Sequence, residues 1–265
     1  MQEKPAMFQY REVIEYRQGK VNHRADPVVC EKPLTLFLNN VEFATMICSP
    51  GGYEELCTGF LLSEGLVKKR SDIASISCRE EDGLLWMETN CPLPQTNNFL
   101  RRHIASCCGK GRAGIYFIND ARELAPVQSD TQYTVTRLLN IIATLEEKSQ
   151  TFLRTGGVHS ATLADQSDVF FMYEDIGRHN AIDKVLGRAF LDGISTDDKC
   201  LVLSGRIASE ILIKAARSRI PVLLSRSAPT ELTLDLAEEL NITVVGFARG
   251  ERLNIYTHPE RVIIS

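Results

Sequence analysis

The sequence predicts an α/β protein, α+β taken as a whole, built from a smaller β-rich N-terminal domain over residues 1–125 and an α/β domain over 126–265. Three observations carry this. Up to about residue 90, short runs of alternating apolar residues are separated by two-residue turn signals, the pattern of antiparallel strands. From Thr131 onward, four- to six-residue apolar runs rich in Val, Ile and Leu alternate with helix-period segments, which indicates a mostly parallel sheet covered on both faces. Hydrophobic residues make up 44% and charged residues 24% of 265, enough apolar material for a packed core of this size.

The first ~30 residues read as polar and irregular. Leu34–Leu38 and Val41–Ile47 flank Asn39-Asn40 and predict a β-hairpin, because asparagine tolerates the left-handed backbone of a tight turn. Ser49-Pro50-Gly51-Gly52 ends that strand, and Glu54–Leu62 has the apolar spacing of a helix that stops at Gly65. Strands follow around Ile73–Ser77 and Leu84–Glu88. Asn90–Asn98, with Pro92 and Pro94, is a loop.

In the second half, Val135, Leu138, Leu139, Ile141, Ile142 and Leu145 mark an amphipathic helix. Strands are expected at Val158–Leu163, Val169–Tyr173, Cys200–Leu203, Pro221–Leu224 and Thr243–Phe247, and helices at His179–Phe190, Ile207–Ser218 and Thr230–Leu240. Phe170-Phe171-Met172-Tyr173 is expected to be sheet core, and Asn254–Tyr256 with Arg261–Ile264 a terminal hairpin.

Two features carry chemistry. The first is Ser106-Cys107-Cys108-Gly109-Lys110-Gly111-Arg112, whose Lys110 and Arg112, together with Arg101, Arg102 and His103 upstream, are expected to place positive charge around the paired sulfurs. Cations and free backbone N–H groups favour the thiolate, which is the nucleophilic form. The competing reading is a small core cysteine beside a solvated basic face. The other six cysteines, at 30, 48, 57, 78, 91 and 200, form no Cys-x-x-Cys pair, which argues against structural zinc and against a disulfide framework; all but Cys91 lie in or beside apolar runs as expected of buried thiols.

The second feature is a set of loops directly after the predicted strands, where ligands bind in open α/β sheets. Leu203 is followed by Ser204-Gly205-Arg206, Leu224 by Ser225-Arg226-Ser227, and Phe247 by Ala248-Arg249-Gly250-Glu251-Arg252. Thr155–Ser160 opens another strand, and Glu174–Asn180, with Arg178 and His179, joins a strand to a helix. Glycine admits a ligand close to the backbone, serine donates, and the arginine fork matches phosphate. No standard nucleotide fingerprint is present. His159 and His179 are each open to three readings: metal ligand, general base, or hydrogen-bonded residue near a helix end. Asp175 and Asp183, with Arg178 and Lys184, are open to the reading of a helix-start charge cluster, which is the first reading for Asp183.

A net charge of −4 gives no global attraction to nucleic acid or to an anionic membrane. The N-terminus lacks a secretory apolar region, and no stretch approaches the ~20 apolar residues of a membrane span, so a cytoplasmic protein is expected.

Through Thr155–Ser160, Glu174–Lys184, Ser204–Arg206, Ser225–Thr230 and Gly246–Arg252 with Asn254-Ile255-Tyr256, and through Glu54–Gly65 in the first half, the chain resembles the formate dehydrogenase accessory sulfurtransferase family, FdhD. The resemblance implies a C-terminal three-layer α/β/α domain similar to that of cytidine deaminases. It implies a sulfur carrier: a loop cysteine takes sulfur from a cysteine desulfurase as a persulfide and passes it to the molybdenum cofactor, a bis(molybdopterin guanine dinucleotide), before that cofactor enters formate dehydrogenase. Cys107 would carry the sulfur with Cys108 auxiliary. The cofactor would lie along Phe247, Ala248, Arg249, Gly250, Glu251 and Arg252, with His159, Arg178, His179, Ser204, Gly205, Arg206, Ser225 and Ser227 around it. A homodimer is also implied.

The family usually shows Cys-Gly-x-Cys-Gly, whereas Lys110 stands here at the second cysteine position and Cys108 at a glycine. Zinc chemistry is not implied, since the helix starts carry Arg178-His179-Asn180-Ala181 and Ser204-Gly205-Arg206-Ile207 in place of the deaminases' H-x-E and P-C-x-x-C, and the one H-x-E, His258-Pro259-Glu260, has no cysteine pair after it. Two other readings remain: a non-catalytic chaperone for the cofactor, and a hydrolase or deaminase acting through His159 or His179.

Overall fold

The computed structural model describes residues 6–90 and 124–264. Cys107 and Cys108 lie outside the described residues, as does the predicted 91–98 loop.

The C-terminal half is a six-stranded sheet with helices on both faces. Its strands are β8 (His159–Ala164), β9 (Val169–Asp175), β10 (Cys200–Leu203), β11 (Val222–Ser225), β12 (Thr243–Arg249) and β13 (Arg252–Ile255), in the spatial order β13-β12-β11-β10-β8-β9. The expectation of a mostly parallel sheet needs correction. Only β10, β11 and β12 are mutually parallel, while β8, β9 and β13 run antiparallel to their neighbours. The short connections from β8 to β9 and from β12 to β13 leave no room for a crossover helix, so hairpins form at both edges.

On one face lies helix α2 (Val135–Lys148), whose Leu138, Ile141, Ile142 and Leu145 form one buried stripe over Cys200, Val202, Val222, Leu224 and Val245. The Thr134 side chain caps it by accepting from the Arg137 amide at 3.1 Å. On the other face α4 (Arg178–Leu191), α5 (Ser209–Arg217) and α6 (Glu231–Glu239) pack over Ala161, Leu163, Leu201, Leu203, Leu223 and Val244. A one-turn helix, α3 (Gln150–Thr155), precedes β8, and its first amides donate to Glu174 at 2.9 Å each.

The first half contributes a four-stranded sheet in the order β4-β3-β6-β5, made from β3 (Lys32–Leu38), β4 (Val41–Cys48), β5 (Ile73–Arg79) and β6 (Leu84–Thr89). Asn39 and Asn40 both take positive φ in the β3–β4 turn, as their identity predicts. Helix α1 (Tyr53–Ser63) covers one face of this sheet. Leu34, Leu36, Leu38, Met46, Leu85 and Met87 point at its Leu56, Phe60 and Leu61.

Helix α1 also crosses α4, and there the backbones touch. A Cβ on Gly59 would lie 1.8 Å from the Asp183 carbonyl oxygen, and one on Gly187 would lie 1.9 Å from that of Glu55. Two glycines meeting at one crossing let the helices approach closer than any side chain allows. Enclosed between sheet and helix, α1 is buried almost all round.

A buried polar knot joins the halves beside this crossing. The Lys184 ammonium lies 2.7 Å from Asp175 Oδ2 and donates to the Ser49 carbonyl at 3.0 Å. Asp175 also accepts from the amides of Ser49 and Gly177 and from Asn180 Nδ2, which bonds the Ile47 carbonyl as well. Asp183 is likewise no helix-start surface charge: it accepts from Ser63 Oγ at 2.6 Å and pairs with Lys214 at 2.5 Å, fully enclosed. Taking either partner from such a pair leaves an uncompensated buried charge.

Three further expectations change. The supposedly irregular N-terminus is a ten-residue-per-strand ribbon, β1 (Phe8–Arg17) and β2 (Lys20–Val29), turning at Gln18-Gly19 with both residues at positive φ. The C-terminal hairpin does not form: β13 pairs with β12, while β14 (Val262–Ile263) pairs in parallel with β7 (Tyr133–Thr134). The Phe170–Tyr173 run is an edge strand, with Phe170 exposed and the next three residues half-buried.

Candidate functional site

The sheet order gathers the predicted loops onto one edge. Strands β10, β11 and β12 end on the same side. Leu203 at the end of β10 pairs with Ala161, so the first residue of antiparallel β8, His159, sits at that side too, and His159 in turn faces Asp175 at the end of β9. Helix α4 begins three residues later.

Hydrogen bonds fasten these loops to one another. Ser204 and Ser160 form a reciprocal pair: the Ser204 amide donates to the Ser160 carbonyl and the Ser160 amide to Ser204 Oγ, each at 3.0 Å. Ser225 Oγ donates to the Gly205 carbonyl at 2.6 Å and accepts from the Ser227 amide at 2.9 Å. The Ser227 carbonyl accepts from the Phe247 amide at 3.1 Å. Ser225 is fully buried, so its part is to fix the loops around it.

Gly205 is closely packed where it stands. A Cβ there would come to 3.3 Å from the His159 ring and 3.7 Å from Arg178 Cβ, which places Gly205, His159 and Arg178 against one another. His179 adds to this cluster, with Nε2 3.4 Å from Glu210 Oε2 on α5. Burial, then the Arg178 charge, holds the His159 ring below the usual imidazole range. Burial and the Lys214 and Arg178 charges push His179 down to about 3. Both rings are therefore neutral at pH 7, and the positive charge of the edge comes from arginine.

Around the β12–β13 turn the sheet departs from regular register between Gly246 and Arg249. Phe247 takes a left-handed φ of 50° and stays 36% exposed, with Gly250 also at positive φ in the turn. Ala248 points the other way into the core. Arg249 Nε donates to the Arg226 carbonyl at 3.0 Å, and Arg226 is drawn off to Glu146 on α2 at 2.6 Å. Arg206, Glu251 and Arg252 are exposed and have no ion-pair partner among the described residues.

Helices α4 and α5 both start at this edge, after Gly177 and Ala208, and neither has a side-chain cap; α4 has no acidic residue in its first turn. The first N–H groups of α4 add to the arginines as anion donors, while Glu210 in the first turn of α5 and the Ile211 amide's bond to the Ala208 carbonyl leave less there. The edge is thus suited to an anionic, phosphate-bearing ligand. Among the described residues no three His, Cys, Asp or Glu side chains come together in a way that could hold a metal ion.

Glu210 is the group at this edge that the sequence reading missed. Its signal is a matched spacing: His179 and Asp183 are four apart on α4, Glu210 and Lys214 four apart on α5, so the helices face each other with two rungs. Of the described cysteines, Cys48, Cys57 and Cys200 are buried. Burial pushes Cys48 up to about 12 and also raises Cys57 and Cys200, as inert core thiols require.

Residues 29–263 match the FdhD/NarQ family. The chain belongs to the FdhD/NarQ family. It is 45% identical over 255 residues to a protein named sulfur carrier protein FdhD from Halalkalibacterium halodurans, covering 96% of this chain and 94% of that one. It is 43% identical over 259 residues to a protein of the same name from Bacillus pumilus, covering 97% and 98%. A crystal structure of a formate dehydrogenase accessory protein from Desulfotalea psychrophila superposes with a TM-score of 0.81 at 26% identity, over 97% of this chain and all of that one. The FdhD/NarQ match takes in the whole sheet edge and starts at Val29, so nearly all of the β1–β2 ribbon precedes it.

Proposed function

We propose that the chain is a sulfur carrier for formate dehydrogenase maturation, in which Cys107 accepts sulfur from a cysteine desulfurase as a persulfide and delivers it to a molybdenum cofactor held at the sheet edge. The Cys107 thiolate attacks the outer sulfur of the desulfurase persulfide, and the desulfurase thiolate leaves. The cofactor, a bis(molybdopterin guanine dinucleotide), is cargo. Its phosphates meet the first turns of α4 and α5 with Arg178, Arg206 and Arg252, and its base lies toward Phe247. His159 and His179, both uncharged, line the edge as hydrogen-bonding groups.

The observation that carries the reading is the convergence of five separate loops, supplying arginine, glycine and uncapped helix starts, on one edge of the sheet. The names of the similar proteins support the sulfur-carrying part. The transfer takes place in the cytoplasm, and the working unit is a pair of copies.

The decisive experiment has two arms. Intact mass after incubation with a desulfurase and cysteine should show a gain of one sulfur that is lost in Cys107→Ala and retained in Cys108→Ala. Titration with GDP should show micromolar binding, weakened about tenfold or more by Arg206→Ala. If Cys107→Ser retains full maturation activity, the chain is a cofactor chaperone without sulfur chemistry.

A further inference from the structure

Among the described residues the β1–β2 ribbon is largely uncovered. Its cross-strand register assigns each residue to a face: Phe8, Tyr10, Glu12, Ile14 and Tyr16 share one with Val21, His23, Ala25, Pro27 and Val29. The opposite face is polar, and Arg24 there pairs with Glu15 at 3.1 Å and with Asp26 at 2.8 Å, as suits a solvated surface. The first face is apolar and bare. Tyr10 is 63% exposed, Ile14 69%, Tyr16 74% and Val21 61%.

Only the base of the ribbon rests on the body. Phe8 lies under the Arg154 guanidinium, 5.4 Å from it, and Val29 packs where a Cβ on Gly157 would come within 2.9 Å. Beside that base, α3 exposes Phe152 and Leu153, the latter 62% exposed. The exposed apolar residues of the arm and those of α3 thus flank the same base, where Phe8 and Val29 meet Arg154 and Gly157.

We infer that the ribbon is a dimerisation arm, its apolar face laid reciprocally on the α3 surface of a second copy of this chain. This rests on the two-copy working unit proposed above and says which surface makes it. Two physical arguments select a second copy. A two-stranded ribbon without a third strand or a covering layer is marginally stable in water, so an arm of this length needs a permanent cover; a partner that comes and goes leaves it bare between encounters.

The second argument is area. One face of a ten-residue, two-stranded ribbon measures about 30 Å by about 11 Å, or roughly 330 Å². A single arm on a single patch therefore buries far less than the ~800 Å² per partner of a standard stable interface. A twofold arrangement doubles it: each copy contributes its own arm and the patch that receives the other, about 660 Å² a side, close to the standard value.

The test uses the full-length chain at micromolar concentration, its mass read by light scattering and its affinity by sedimentation. The wild type is expected at twice the mass of one chain. Ile14→Glu with Tyr16→Glu should weaken association by about a hundredfold or more, while Arg11→Glu with Arg17→Glu on the polar face leaves it unchanged. Leu153→Glu, on the body and away from the ribbon's own fold, should weaken association as the arm variant does; it decides the matter if the arm variant is unfolded by circular dichroism. A wild type at single-copy mass overturns both this inference and the two-copy unit. A dimer equally tight in the Ile14/Tyr16 and Leu153 variants overturns the arm alone.

Discussion

His179 illustrates how environment rather than identity sets a side chain's role. An unfolded chain protonates this ring near 6.5, but the folded one does so only near 3, because burial and the Lys214 and Arg178 charges oppose a second positive centre. The folded state then binds fewer protons than the unfolded state between these values. Stability is complete above about pH 6.5 and falls as the pH drops through the window, by at most about 1.4 kcal/mol per pH unit from this group. The ring signals of His179 in a proton NMR titration should stay flat from pH 8 down to about 5; an inflection near 6.5 would contradict the description. At this scale the sequence was informative about which residues share the edge and less so about their parts. Ser204, Gly205, His159, Arg178 and the 247–252 turn were legible because each directly follows or precedes an apolar strand run. Ser225 is buried and fastens the loops, and Asp183, read as a helix-start charge, is enclosed. Neither burial is legible locally, for one reason: whether a polar group meets solvent depends on the partner element, which local pattern does not contain.

Elements with a strong internal period were legible, as with α2, whose buried positions repeat at three and four, and the β3–β4 turn, whose two asparagines both take positive φ. Failures came where burial is one-sided or shared. The β1–β2 ribbon alternates correctly, but Glu12 and His23 interrupt its apolar face and the run scans as polar. The β13 and β14 strands are short, and which neighbours they choose is decided by the sheet already in place. The α1–α4 crossing lies between these cases. Gly59 and Gly187 are visible in the sequence as glycines inside helical patterns, a costly placement that calls for a packing reason. Their contact supplies it. Gly187→Ala puts a methyl carbon inside a backbone carbonyl of the other helix, so the helices must part; we expect a loss of about 3 kcal/mol or more, read from the urea midpoint at unchanged slope. A loss below about 1 kcal/mol would show that the crossing is looser than described.

Across the whole molecule, the two cores are fused rather than adjoined. The Asp175–Lys184 pair, 1% exposed or less at each partner, draws its remaining bonds from Ser49 of the first half and Asn180 of the second. Lys184→Met strands a carboxylate in the interior and should cost about 3–5 kcal/mol. Trp86, the chain's only tryptophan, stacks on Phe37 on the face of the N-terminal sheet turned away from α1 and so reports the unfolding of that sheet. Its fluorescence and the far-ultraviolet circular dichroism should trace one unfolding curve in the wild type, since neither core can open without exposing the knot. Separate midpoints would mean that the halves are independent. The position of the knot matters beyond stability. Asp175 stands three residues before Arg178, and no flexible linker intervenes between the grip on Ser49 and the start of α4. The junction is consequently tied across both halves: cutting out the C-terminal lobe would strip Asp175 and Lys184 of their bonds to Ser49, so the lobe by itself is expected to be less stable than the same lobe in the full chain.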